Sequence, residues 1–140
     1  MRPEVKGAGG SVGDWMSKAP MAVPEDTPIR DAVSLMQGAG VRHLLVLDGP
    51  VLIGILSNRD LRRLVTRDPE SPLLAGPVRS IMSEGPVSVA PDTPLTTAAR
   101  LLLEQRIGAL PVRQGEQIVG IFTVPDALEA LLAIAEASGA

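Results

Sequence analysis

Two registers of apolar residues alternate along the chain, and the same succession of registers occurs twice. A short apolar run, Met21–Val23, is followed by Asp26-Thr27-Pro28 and then by Ile29, Ala32, Val33 and Met36 at helical spacing. Two dense apolar runs come next, His43–Leu47 and Leu52–Leu56, split by Asp48-Gly49-Pro50, which is a hairpin pattern. A closing helix is predicted from about Asn58. The second succession runs Val87–Val89, Asp92-Thr93-Pro94, then Leu95, Ala98, Ala99 and Leu102. Its hairpin is Ala109–Arg113 and Ile118–Thr123 around Gln114-Gly115-Glu116, and its last helix begins near Val124. Thr27 and Thr93 are placed as helix N-caps, with Pro28 and Pro94 at the first helical position, where a missing N–H costs nothing.

The likeness extends to single residues. Val12–Val65 aligns on Val78–Leu131 without a gap, and 16 of the 54 positions are identical, where average usage gives about 3 or 4. Each repeat reads strand, helix, strand, strand, helix, so the expected class is α+β with two pseudo-symmetric repeats. A unit that small buries only about 60% of its surface alone, so the two sheets are expected to pack into one module. The boundaries read as a flexible tail over 1–11 (the Gly-rich start reaches Gly13), a first repeat over 12–66 and a linker over 67–77. A second repeat covers 78–132, and 133–140 is the end of the last helix and a tail.

Composition removes whole classes of chemistry. The 140 residues include no Cys, which excludes disulfides, thiolate zinc sites and cysteine nucleophiles. The single His43 leaves no histidine cluster, and no metal site is expected. Trp15 and Phe122 are the only aromatics, too few for stacking bases, and the net charge of −3 opposes a phosphate backbone. Nucleic acid is therefore not an expected partner. No apolar run approaches the length of a membrane span, and the N-terminus has no signal-peptide pattern, so a cytoplasmic location is expected. No paired carboxylates, triad or metal constellation is visible, so the chain does not read as an enzyme.

One motif stands at the junction of last strand and last helix in both repeats. It is Gly54-Ile55-Leu56-Ser57-Asn58-Arg59-Asp60, and again Gly120-Ile121-Phe122-Thr123-Val124-Pro125-Asp126. Ser57 and Thr123 can cap the helix, with Asp60 and Asp126 favourable in its first turn. The same geometry offers a hydroxyl and free N–H groups to an anion, and a carboxylate to two neighbouring sugar hydroxyls. Hydroxyl plus carboxylate suits a ribose-phosphate, and the two readings are compatible.

The duplicated order of motifs, with Met16-Ser17 and Met82-Ser83, Asp-Thr-Pro, Val41–Val46 and Ile107–Val112, and the two closing motifs, resembles a tandem pair of CBS domains (a Bateman module). The resemblance covers about residues 12–131. It implies a stand-alone regulatory sensor for an adenosine-containing ligand: AMP, ADP, ATP, S-adenosylmethionine or NAD(H). No cofactor is required beyond that regulatory ligand. It further implies two clefts between repeats, with the Asp on ribose, the hydroxyl on phosphate and apolar strand residues around adenine. One cleft would combine Ser57, Arg59 and Asp60 with Ser88, Thr93, Ala109 and Pro111. The other would combine Thr123 and Asp126 with Ala22, Thr27 and His43. Arg59 can pair with phosphate where Pro125 cannot, so the first cleft is expected to prefer phosphorylated nucleotides. Leu45 stands where the family usually has proline, as at Pro111.

Further features carry two readings each. His43 is a structural histidine or an extra donor to the ligand. Arg59, Arg62, Arg63 and Arg67 make a solvated face, or a patch facing phosphate or a partner. Trp15 is an exposed interface anchor or a lid on the core. The Ala/Leu-rich final helix exposes more apolar surface than a monomer needs, which points to a homodimer. Output would pass to a separate, unidentified effector protein. The competing reading is a structural or interaction homodimer whose clefts are vestigial.

Overall fold

The computed structural model describes residues 10–139. In chain order the elements are α1 (Val12–Trp15), β1 (Ser17–Lys18), β2 (Ala22–Pro24), α2 (Ile29–Ala39), β3 (His43–Asp48), β4 (Val51–Ser57) and α3 (Asn58–Arg67). After 3₁₀ turns at Pro72–Ala75 and Val78–Ser80 come β5 (Ser83–Glu84), α4 (Leu95–Gln105), β6 (Ala109–Gln114), β7 (Gln117–Thr123) and α5 (Val124–Ala137). The class is α+β, as expected, and both predicted hairpins and both closing helices are present.

The unit of residues 21–86 carries a sheet in the order β2-β3-β4-β5. β2 runs parallel to β3, so the chain must cross over between them, and α2 is that crossover. β3 and β4 are antiparallel about Gly49, whose φ of +58 lies in the left-handed region that favours glycine. The helical spacing read from the sequence faces the core. Ile29, Ala32 and Met36 of α2 are buried with Leu44, Val46, Leu56 and Leu61. The presumed linker contributes to this core as well. Ser71 Oγ accepts from Leu73 N–H at 3.2 Å, starting the turn that buries Leu74.

The unit of residues 87–139 together with 10–20 has the sheet β1-β7-β6. Leu95, Ala98 and Leu102 of α4 pack with Leu110, Val112, Phe122 and Ala130, and with Val12 and Trp15 from α1. Trp15 is 1% exposed, so the lid-on-the-core reading is the correct one and the exposed anchor is not. The bulge at Val46/Leu47 of the first hairpin recurs at Val112/Arg113 of the second.

Sequence repeat and compact unit are out of phase. The opening segment of the first repeat, α1 and β1, belongs to the unit of the second, where Ser17 pairs with Ile121 and Lys18 with Gly120. The opening segment of the second repeat returns the arrangement, with Ser83 opposite Ile55 and Glu84 opposite Gly54. Both pairings depend on a glycine. A Cβ on Gly120 would stand 2.8 Å from the Ser17 carbonyl oxygen and against Met16 Sδ. A Cβ on Gly54 would meet Met82 Sδ and stand 2.8 Å from its Cγ.

Several local expectations are corrected. Thr27 and Thr93 do not cap α2 and α4; Pro28 and Pro94 occupy the cap position with extended ψ. Their backbones pair elsewhere, Pro28 with Pro77 and Pro94 with Ser11, so each helix starts one residue later. Thr93 Oγ1 instead accepts from Ala90 N–H at 3.0 Å. The strand expected at Val87–Val89 is reduced to a bridge between Val89 and Val112. In the first repeat Leu45 N–H donates to the Met21 carbonyl at 3.0 Å, and Pro111 at the matching position has no N–H to give. The expected tail does not reach Gly13: Ser11 is bridged to Pro94 and Gly13 lies in α1. Residues 1–9 of that tail lie outside the described residues.

Two glycines test this account by opposite signs. Gly54→Ala lowers stability by about 1–3 kcal/mol through overpacking against Met82. Gly38→Ala, inside α2 where nothing lies within 4 Å of the added carbon, raises it by about 0.5–1 kcal/mol. Urea unfolding of the two variants measures both.

Candidate functional site

The closing motifs sit where a strand becomes a helix, and neighbouring strands hold them there. Each strand ends opposite the first residue of its hairpin, His43 facing Ser57 in one unit and Ala109 facing Thr123 in the other. The first N–H of each helix is tied back to the same hairpin. Asn58 N–H donates to the Arg42 carbonyl at 2.7 Å, and Val124 N–H to the Gly108 carbonyl at 3.1 Å. Nothing in the sequence singles out those two bonds, because they join main-chain atoms.

Beyond this shared frame the two motifs differ. At the second, Thr123 and Asp126 form a closed capping box. The Asp126 carboxylate accepts from Thr123 N–H and from Thr123 Oγ1–H, both at 2.9 Å, and Asp126 N–H donates to Thr123 Oγ1 at 3.4 Å. Asp126 is only 6% exposed. Pro125 has no N–H, so the first three residues of α5 leave no free main-chain donor for an anion.

At the first motif the box is open. Ser57 Oγ accepts from Arg59 N–H at 3.2 Å, and its own hydroxyl hydrogen remains to be given. The Asp60 carboxylate is exposed and takes no hydrogen bond or ion pair among the described residues. Arg59 is exposed beside it. One place on the surface therefore offers a hydroxyl donor, a carboxylate acceptor and a guanidinium.

His43 is half-buried at the head of β3. Burial, and secondly the neighbouring Arg42 guanidinium, push its pKa below the usual 6.5, so the imidazole is neutral at pH 7. A neutral ring donates from one nitrogen and accepts at the other, which suits a ring or hydroxyl of a ligand better than a phosphate. Of the other expected residues, Ala22 lies opposite Leu45 in the parallel pair, and Thr27 is half-buried at the approach to α2. Ser88 precedes Val89, whose N–H donates to the Pro111 carbonyl at 3.0 Å, so Ser88, Ala109 and Pro111 gather on the β6 side of their unit. Thr93 uses its hydroxyl oxygen in the turn described above. Among the described residues no group of His, Asp and Glu could hold a metal ion, and no helix is long and apolar enough to cross a membrane.

A duplicated helix-hairpin-helix unit with a hydroxyl-x-x-carboxylate corner at each closing helix is a specific pattern, and comparison with known proteins identifies its class. The CBS domain family model matches residues 12–67 and 78–133, and the chain belongs to that family as a tandem pair. A CBS domain-containing protein of Dictyostelium discoideum is 31% identical over 136 residues, covering 89% of this chain and 93% of that one. The CBS domain-containing protein YhcV of Bacillus subtilis is 32% identical over 119 residues, with 83% and 81% covered. Among solved structures, CBSX2 in complex with AMP is 30% identical, with a TM-score of 0.74 over 89% of this chain and 98% of that one. The fold and the pairing of domains are thus those of CBS-pair proteins.

The contrast between the motifs has an energetic consequence. Asp126→Ala removes two short hydrogen bonds from a buried cap and lowers stability by about 1–2 kcal/mol. Asp60→Ala touches no bond among the described residues and stays within about 0.5 kcal/mol of the wild type. Chemical denaturation of the pair of variants checks the difference.

Proposed function

We propose that the chain is a regulatory sensor, not an enzyme, which binds an adenosine-containing ligand and passes its occupancy to a separate protein. The observation that carries this reading is the open first motif. Asp60 is exposed and has no partner among the described residues, while its counterpart Asp126 is sealed in a capping box. A carboxylate left free at such a position accepts hydrogen bonds from vicinal ribose hydroxyls. Ser57 donates to a phosphate oxygen and Arg59 pairs with its charge. Ala109 and Pro111 are the candidates for adenine with this motif, whereas Ala22 and neutral His43, a further donor, belong to the other cleft. The 30% identical CBSX2, solved with AMP, supports the ligand class. AMP, ADP, ATP, S-adenosylmethionine and NAD(H) are its members to be tried.

Regulation then follows from differential affinity. The ligand shifts the protein between arrangements only by as much as it binds one of them better. The second motif supports the vestigial reading for its own half of the molecule, because the same residues there are occupied in holding the helix.

A thermal-shift panel of those ligands on wild type, Asp60→Ala and Asp126→Ala tests the reading. At about 100 times its dissociation constant a ligand adds about 2.7 kcal/mol, a rise of several degrees. The rise is expected to vanish in Asp60→Ala and to survive, from a lower starting midpoint, in Asp126→Ala. A rise lost only in Asp126→Ala would refute the assignment to the first motif, and no rise with any ligand would favour the interaction-protein reading.

The assembly proposed with it is a homodimer through α5. Val124, Leu128, Leu131 and Leu132 are 40%, 54%, 59% and 60% exposed, and their spacing puts them along one side of the helix. Light scattering is expected to give twice the chain mass for wild type and the single-chain mass for Leu128→Glu/Leu132→Glu.

A further inference from the structure

The duplication supplies an internal comparison for every residue of α3, and the comparison isolates one surface. The buried side of α3 keeps its apolar character in α5, with Leu61 and Leu64 matched by Ala127 and Ala130. The outward side does not. Arg59, Arg62, Arg63 and Arg67 of α3 stand where α5 has Pro125, Leu128, Glu129 and Ala133, and α5 contains no basic residue at all.

At 100° per residue those four arginines and Thr66 fall on one arc of α3, centred opposite the buried Leu61. All four arginines are exposed, and none has an ion pair among the described residues. Arg62, Arg63, Thr66 and Arg67 line a shallow depression open to solvent. The only acidic residue of the helix, Asp60, lies at its first turn. This concentration occurs in a chain with 16 acidic and 13 basic residues. The four charges lie along about 12 Å of helix axis. That close spacing costs repulsion, and an opposing set of negative charges relieves it.

We infer that the exposed face of α3 is a docking surface for a carboxylate-rich segment of another protein. Guanidinium forks spaced three and four residues apart match carboxylates at helical spacing, each able to close a bidentate pair. Two features favour that partner over other polyanions. The arc carries no aromatic residue on which bases could stack. No apolar residue lies among the arginines to enter a membrane, because the apolar side of α3 is turned into the core. Arg59 is shared with the proposed ligand site, whereas Arg62, Arg63 and Arg67 lie beyond the first turn that holds Asp60 and are the residues tested.

The test uses the full chain and a fluorescein-labelled poly-glutamate peptide, followed by fluorescence anisotropy at low salt. Wild type is expected to bind it, and Arg62→Glu/Arg63→Glu/Arg67→Glu to bind at least about tenfold more weakly. The neutral triple variant with Gln at the same positions is expected to lose binding too, with circular dichroism confirming that both variants keep their helix content. Absence of binding by wild type, or equal binding by both folded variants, would overturn the inference. Preferential binding of an RNA oligonucleotide or of phosphatidylserine vesicles over the peptide would overturn it as well.

Discussion

A glycine in each closing strand of the two hairpins is the constraint on which the rest of this protein depends. Gly54 and Gly120 leave room for Met82-Ser83 and Met16-Ser17 to lie directly against β4 and β7. Without that room β5 and β1 could not pair, and the opening segment of each repeat would lose its sheet partner. Because the seats are occupied crosswise, neither repeat completes a unit from its own residues alone. Val12 and Trp15, fixed by this arrangement, fill the core that also holds Phe122. The strand that passes over the seat ends at Ser57 or Thr123, so the same contact sets where each closing helix begins.

Duplication gave both helix starts the same pattern of hydroxyl and carboxylate, yet the two now do different work. Asp126 turns back onto Thr123 and disappears from the surface, where it satisfies the first turn of α5. Asp60 stays outside with no partner among the described residues, and Ser57 accepts from Arg59 N–H instead. A proline at position 125 cannot supply the N–H that Arg59 supplies, so Thr123 is left to accept from Asp126 N–H, and the box closes around it. One substitution in the corner therefore separates a carboxylate that serves the fold from one that stays exposed at the surface. The outward sides of the same two helices have diverged as far, toward leucine on α5 and arginine on α3.

Much of this was legible in the sequence. Helical spacing at Ile29, Ala32 and Met36, and at Leu95, Ala98 and Leu102, named core residues correctly because burying one face of a helix leaves a periodic trace. Gly49 and Gly115 located the hairpin turns, since both adopt a positive φ. The weaker Arg59/Pro125 distinction was also visible, though only as a difference in charge. Legibility failed where a local rule competed with a distant partner. Thr-Pro reads as cap and first helical residue, but Pro28 and Pro94 are held in bridges to Pro77 and Ser11. Val87–Val89 has strand composition, but Pro111 opposite it lacks the donor that would extend the ladder.

The sequence by itself determined the two hairpins, the four main helices, their order, their duplication and the family to which the chain belongs, because these follow from periodicity and from the spacing of turn residues and closing motifs along the chain. The tertiary structure decided which opening segment completes which unit, that Trp15 is buried, and that one Asp of a matched pair is sealed while the other is open. Those outcomes rest on van der Waals fit at a glycine and on hydrogen bonds between groups brought together only by folding. No window of local sequence contains both partners of such a contact.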